Sequence, residues 1–297
     1  RSRKQQDKRR QIFIEWSGWT FREISRYYRK LIKIKMKLKI YQVDAFTNTI
    51  FSGNPACVVP LEKWLPAELL LNIAKENAVA ETAFFIKEKD TYHLRWFTPE
   101  VEMDLCGHAT LAAAHVIASI LVKSASEIIF ETLSGKLNVQ VNAEGYTLNF
   151  PSRKPIPSEL PKEIKMALSI QPQKVYKDRD FMLVFKNEEE IKNLKIDRTY
   201  FDRINLGTGG VIATAKGSVS DFVSRFFTPQ ASILEDPVTG SAHCTLIPYW
   251  SEQLQKKTLS AVQLSERKGI LNCEDLGDRV LISGNARTYL IGDIFIK

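Results

Sequence analysis

Hydrophobic and polar positions alternate with period two through Lys37-Leu-Lys-Ile-Tyr-Gln-Val43, which predicts a strand opening a folded body at Met36. Turn residues Ser52, Gly53, Asn54 and Pro55 lead into a second apolar strand. Pro66 then opens a helix over 67–77, with Leu69, Leu70, Ile73 and Ala74 on its inward face. Residues 83–87 and 92–97 read as a hairpin closed by Asp90 and Thr91. Residues 127–133, 136–141 and 146–150 read as strands joined by tight turns. Between hairpin and strands lies an alanine-rich helix over 108–121, apolar on all sides, which must be covered by other elements.

The second half repeats this order. Arg95-Trp-Phe-Thr-Pro-Glu100 is echoed by Arg225-Phe-Phe-Thr-Pro-Gln230, and Gly107 and Gly240 each follow and open an apolar helix. A turn glycine then precedes a strand 28 residues after Gly107 (Gly135) and 29 after Gly240 (Gly269). Landmarks in one order at nearly one spacing argue for internal duplication, with too long a period for a solenoid. The expectation is α+β: two pseudo-symmetric lobes, each a curled, mostly antiparallel sheet around a central helix, facing each other across a cleft. Four prolines between Pro151 and Pro161 break the periodicity. The boundaries read as a leader 1–35, a first lobe 36–150 and a second lobe 151–297, whose last strand could cross back to the first.

Charge changes this picture only at the start. Residues 1–35 carry 12 Lys+Arg against 3 acids, leaving 30 against 31 elsewhere, so the overall charge of +8 belongs to the leader. The body offers no net attraction to nucleic acid. A basic leader with Trp19, Phe21, Ile24, Tyr27, Tyr28 and Leu31 spaced roughly as on a helix face could lie on a membrane surface or target the chain, but residues 1–35 read better as an upstream extension whose deletion leaves the body folded. No apolar run reaches the ~20 residues of a membrane span. Four widely spaced cysteines without C-x-x-C (Cys57, Cys106, Cys244, Cys273) fit reduced thiols. The body is expected to be soluble and cytoplasmic.

Candidate chemistry gathers at the two helix starts, Asp104-Leu-Cys-Gly-His-Ala-Thr110 and Glu235-Asp-Pro-Val-Thr-Gly-Ser-Ala-His243. Free N–H groups and the positive dipole end of each would hold an anion such as a carboxylate. Glu81, among alanines and phenylalanines, is either a proton carrier with a raised pKa or a solvated strand-start acid. Asp236 either faces the second helix end or caps a turn, and Asp104 is its expected counterpart. His108 opens the first helix, where the dipole favours neutral imidazole. A metal site from Cys106, His108 and His115 would need residues two helical turns apart to converge. Gly207-Thr-Gly209-Gly210 precedes a strand-like run and lacks the third glycine of a dinucleotide site. Neither a P-loop nor a G-x-S-x-G is present.

With Ser52-Gly-Asn-Pro55, Ala80-Glu-Thr-Ala83 and these two helix starts in order, the chain from Met36 onward resembles the phenazine-biosynthesis PhzF-like isomerases, which have the diaminopimelate-epimerase-like fold. The resemblance implies an isomerase that needs neither cofactor nor metal, and a homodimer. Its catalytic residues would be Glu81, His108 and Asp236, with Glu81 moving a proton between carbons of a small carboxylate substrate. Gly107, Ala109, Thr239, Gly240 and Ser241 would donate hydrogen bonds to that carboxylate. Ala80 stands where a serine is common. Related racemases use one thiol per lobe. Here Cys106 fills the first place, Pro237 and Val238 lie near the second, and Cys244 is a turn away. The competing readings are a Cys106-dependent epimerase and a ligand-binding protein without catalysis.

Overall fold

The computed structural model describes residues 36–296. The leader 1–35 lies outside the described residues, as does any reading of it. Residues 39–292 form one compact unit. Of the described residues, 36–38 and 293–296 form a second unit, where Lys37 Nζ pairs with Asp293 Oδ2 at 2.9 Å.

The first half runs β1 (Met36–Ala45), β2 (Asn54–Leu61), α1 (Ala67–Asn77), β3 (Glu81–Glu88), β4 (Thr91–Phe97), β5 (Glu102–Met103), α2 (Gly107–Val116, prolonged by a π turn Ile117–Leu121), β6 (Glu127–Thr132), β7 (Gly135–Asn142) and β8 (Gly145–Pro151). The second runs β9 (Ile156–Pro157), α3 (Lys162–Ala167), β10 (Lys174–Lys177), β11 (Phe181–Val184), α4 (Glu188–Asn193), α5 (Arg198–Phe201), β12 (Val211–Lys216), β13 (Phe222–Phe227), β14 (Glu235–Asp236), α6 (Gly240–Leu254), β15 (Thr258–Gln263), β16 (Gly269–Asp275), β17 (Arg279–Gly284) and β18 (Ala286–Ile296).

The duplication read from three sequence landmarks extends to every pairing. In the first half β2 and β3 run parallel, β3–β4 and β4–β5 antiparallel, β4–β6 parallel, and β6–β7 and β7–β8 antiparallel. The second half repeats each sense in turn: β11–β12 parallel, β12–β13 and β13–β14 antiparallel, β13–β15 parallel, β15–β16 and β16–β17 antiparallel. The halves join where β8 pairs with β17, Leu148 opposite Ile282. Even the ion pairs recur. Arg95 grips Glu102 with two bonds (2.6 and 2.7 Å) and Arg225 grips Glu235 the same way (both 2.7 Å), a fork geometry that pins each β5-type strand.

Both central helices are enclosed, as their composition requires. All of α2 except His115 is buried, its alanines letting strands approach closely, and α6 is buried from Gly240 to Ser251. Pro248 sits inside α6 and removes the N–H that would satisfy the Cys244 carbonyl. The backbone N–H of Arg153 takes that carbonyl instead, at 2.9 Å, so the helix continues past its proline. The short helices α3 to α5 cover the outer side of β11–β13 with a separate core around Ile164, Ile191 and Phe201. At four to six residues each, they are too short for periodicity to reveal.

The N-termini of α2 and α6 meet backbone to backbone: a Cβ on Gly107 would lie 3.0 Å from Gly240 Cα, and one on Gly240 3.0 Å from Gly107 Cα. Neither position accepts a side chain without separating the helix ends. Gly107→Ala should therefore cost about 1–3 kcal/mol, as overpacking does, and lower the melting temperature by roughly 3–10 °C; calorimetry showing an unchanged transition would refute this close contact.

Candidate active site

Glu81 is the first residue of β3, registered against Ala56 of the parallel neighbour β2, so its side chain enters the cavity where that strand begins. His108 is the second residue of α2 and is almost wholly buried. Its Nε2 lies 3.1 Å from Glu81 Oε2, out of line for a full hydrogen bond, and neither atom has another partner among the described residues. Cys106 Sγ lies 3.6 Å from the opposite ring nitrogen, Nδ1.

Asp236 comes from the second half and reaches the same cluster through Asn54. Asn54 Nδ2 donates to Asp236 Oδ1 (2.7 Å) and to Val238 O (2.9 Å), and lies 3.1 Å from His108 Nδ1. Asn54 is fully buried, and the turn before it explains why it points inward. Gly53 has φ of +66°, and a Cβ there would collide with Ala45 O at 2.1 Å. Arg267 then holds the turn, donating to Gly53 O (2.9 Å) and Ser52 O (3.0 Å) while pairing with Asp44 (2.8 Å). The motif Ser52-Gly-Asn-Pro55 was visible in the sequence, but not that Asn54 would bridge His108 and Asp236.

The electrostatics follow from this packing. Burial weighs against a charged His108, yet Cys106 and Glu81 outweigh it and raise the imidazole's pKa well above 6.5. These neighbours act against the neutral imidazole that the helix dipole alone favours. Burial pushes the Asp236 carboxyl up to about 6, against the pull of His108 and with the repulsion of Glu81. The Cys106 thiol is pushed up to about 11, by burial and then by Glu81, so it stays protonated near neutrality.

The helix ends complete a cavity of about 300 Å³ lined by Gly107, Gly240 and Ser241, with Val101, Phe226 and Ile233 among its apolar walls. Thr239 also borders it, but its hydroxyl donates to Asp236 Oδ2 and its N–H to Gln263 Oε1 (2.9 Å), so it braces Asp236. Gln263 is fully buried and also donates to Asp236 O (2.7 Å), a brace the sequence did not reveal. Ala109 is buried outside the lining, with its N–H turned to the Cys106 sulfur.

One further expectation changes. Asp104 is exposed and is not the counterpart of Asp236. The matched pairings Phe97–Glu102 and Phe227–Glu235 put Met103 at that place. His115, too far along the helix to converge with His108 on a metal, faces away, bonded to Tyr146 Oη (2.9 Å) and Thr288 Oγ1 (2.8 Å). Glu81, Cys106 and His108 do approach within 4.8 Å of one another, but thiol and carboxylate face opposite ring nitrogens, so an ion bound to one nitrogen would have the ring between it and the other partner. Finally, the residue matching Cys106 one place before the helix glycine is Thr239, and the matched strand registers put Gly210 opposite Glu81.

Arg179, which sequence reading passed over, also lines the cavity. Its guanidinium pairs with the fully buried Asp180 (Nη2 to Oδ2, 2.8 Å) and donates to Ser241 Oγ (2.9 Å).

Residues 43–292 match the family model described as phenazine biosynthesis-like protein. An uncharacterized isomerase of Pseudomonas aeruginosa is 45% identical over 262 residues, 88% of this chain and 100% of its own length. Among solved structures, a phenazine biosynthesis protein of the PhzF family from Enterococcus faecalis is 45% identical, covering 88% of this chain and 100% of that one, with a TM-score of 0.83. A putative PhzC/PhzF protein from Clostridium difficile is 46% identical, covering 87% and 100%, with a TM-score of 0.80. The chain that folds Glu81, His108 and Asp236 around two abutting helix ends belongs to the phenazine biosynthesis-like, or PhzF, family of isomerases.

Proposed function

We propose that this enzyme isomerises a small carboxylate-bearing metabolite by moving one proton between two of its carbons, with Glu81 as the carrier. The observation that carries the reading is the Glu81–His108 contact of 3.1 Å inside a cavity floored by two helix N-termini. A substrate carboxylate at Gly107 and Gly240 would meet unpaired N–H groups and two positive dipole ends. Removal of a proton beside that carboxylate pushes negative charge onto its oxygens, where the same groups are already aimed. Glu81, in carboxylate form, accepts the proton, with His108 Nε2 placed 3.1 Å from its Oε2 to share it. The proton returns to a different carbon, so atoms and electrons balance without an oxidant or reductant. Asp236, anchored by Asn54 and Thr239, is a second acceptor across the cleft, suited to orienting a hydroxyl or amino group.

A two-base racemase finds less support. Gly210 stands where a second Glu81 would be, Thr239 stands where a second thiol would be, and Cys106 is held protonated.

Incubated in D2O with pooled cell metabolites, the wild-type protein should place deuterium at carbon in one small acid, and Glu81→Gln should reduce the rate by about 10²–10⁴; equal labelling by both would remove Glu81 from the mechanism. Cys106→Ala should retain activity within about threefold, whereas a loss resembling that of Glu81→Gln would restore the thiol reading. A carboxyl titrating at about 6 is neutral below and charged above that pH. The rate constant kcat/KM should therefore rise between pH 5 and 7 with a midpoint near 6, and Asp236→Asn should abolish that limb; an unchanged limb in the variant would assign it elsewhere.

A further inference from the structure

Resting on the proposed carboxylate substrate, we infer that Arg179 and Ser241 form a one-sided carboxylate clamp that fixes which way the substrate lies in the pseudo-symmetric cleft. The first evidence is the direction of the hydrogen bonds. A guanidinium only donates, so Ser241 Oγ accepts from Arg179 Nη2 at 2.9 Å, and the serine's own proton has no acceptor among the described residues. Asp180 takes the Nε and Nη2 edge (3.1, 3.2 and 2.8 Å) and is itself held by the N–H of Gly210 at 2.8 Å. Among the described residues Nη1 makes no hydrogen bond. The side chain is one-fifth exposed where it borders the cavity. Nη1 and the Ser241 hydroxyl are thus both left with protons to donate beside the cavity, and the group that would satisfy them is an acceptor, best a carboxylate oxygen.

The second evidence is the broken symmetry. Ser241 follows Gly240 as His108 follows Gly107, and Gly210 occupies the place of Glu81. One lobe therefore presents an acid and an imidazole, while the other presents a hydroxyl and the Nη1 donors of Arg179. A substrate whose carboxylate sits on the Arg179 side has its remaining carbons directed to Glu81. In the reversed pose the carboxylate would face Glu81 and leave the clamp empty.

The probes are benzoate, whose ring suits walls such as Val101, Phe226 and Ile233, and benzamide, its uncharged analogue. Ligand-observed NMR titration of the whole protein should show benzoate binding about tenfold more tightly than benzamide. Arg179→Met/Asp180→Asn removes both charges, so neither is left buried alone, and should weaken benzoate at least tenfold while leaving benzamide within about twofold. Arg179→Lys keeps a cation over Asp180 without the fork and should also reduce the benzoate-to-benzamide ratio. Both variants are checked for an intact thermal transition. Benzoate binding equal in wild type and Arg179→Lys would overturn the clamp alone. Failure of the wild type to bind benzoate would overturn both the clamp and the carboxylate reading beneath it.

Discussion

Two glycines in backbone contact set the geometry on which everything else in this protein depends. Because Gly107 and Gly240 carry no Cβ, the first turns of α2 and α6 can touch, and their unpaired N–H groups converge on one small volume. Each helix end alone would be an ordinary dipole terminus. Together, with strands enclosing both helices, they form a cavity floor that favours negative charge without an ion pair. The repeated Arg95–Glu102 and Arg225–Glu235 forks hold the strands leading into those ends, so the contact is braced at the same point in each half.

The two faces of the cleft differ chemically where the halves depart from that repetition. The duplicated framework could have supplied matching acids to both faces of a substrate, as a racemase requires. It supplies Glu81 against Gly210, His108 against Ser241, Asp236 against Met103 and Cys106 against Thr239. Glu81, His108 and Cys106 gather on one side, and Asp236 enters their network from the other half through Asn54. Charge is managed inside this network: the same burial that lifts Asp236 works against His108, and the neighbours of each decide which effect wins.

Local sequence rules succeeded where the structure is governed by neighbours along the chain. The helix over 67–77 follows from Pro66 and its apolar spacing, and α2 was recognisable because an all-apolar alanine helix has nowhere to go but inside. Pro248 shows the limit of such rules. A proline within a helix argues for a break, yet α6 runs on because a backbone N–H from Arg153, almost a hundred residues earlier, occupies the freed carbonyl.

The sequence by itself determined the α+β class, the duplication, the two helix starts and the candidacy of Glu81, His108 and Asp236, since these rest on periodicity, turn chemistry and motif order. Tertiary structure decided which groups meet. Asn54 and Asp236, 182 positions apart, share a hydrogen bond; Arg179 reaches Ser241 across 62; His115, seven residues from His108, turns away to Tyr146. The counterpart of Asp236 proved to be Met103, because strand register and not sequence proximity to the helix glycine sets equivalence. Such contacts arise when two sheets curl and join through β8 and β17, and that closure depends on burial and pairing between distant segments, of which no short stretch of sequence carries a record.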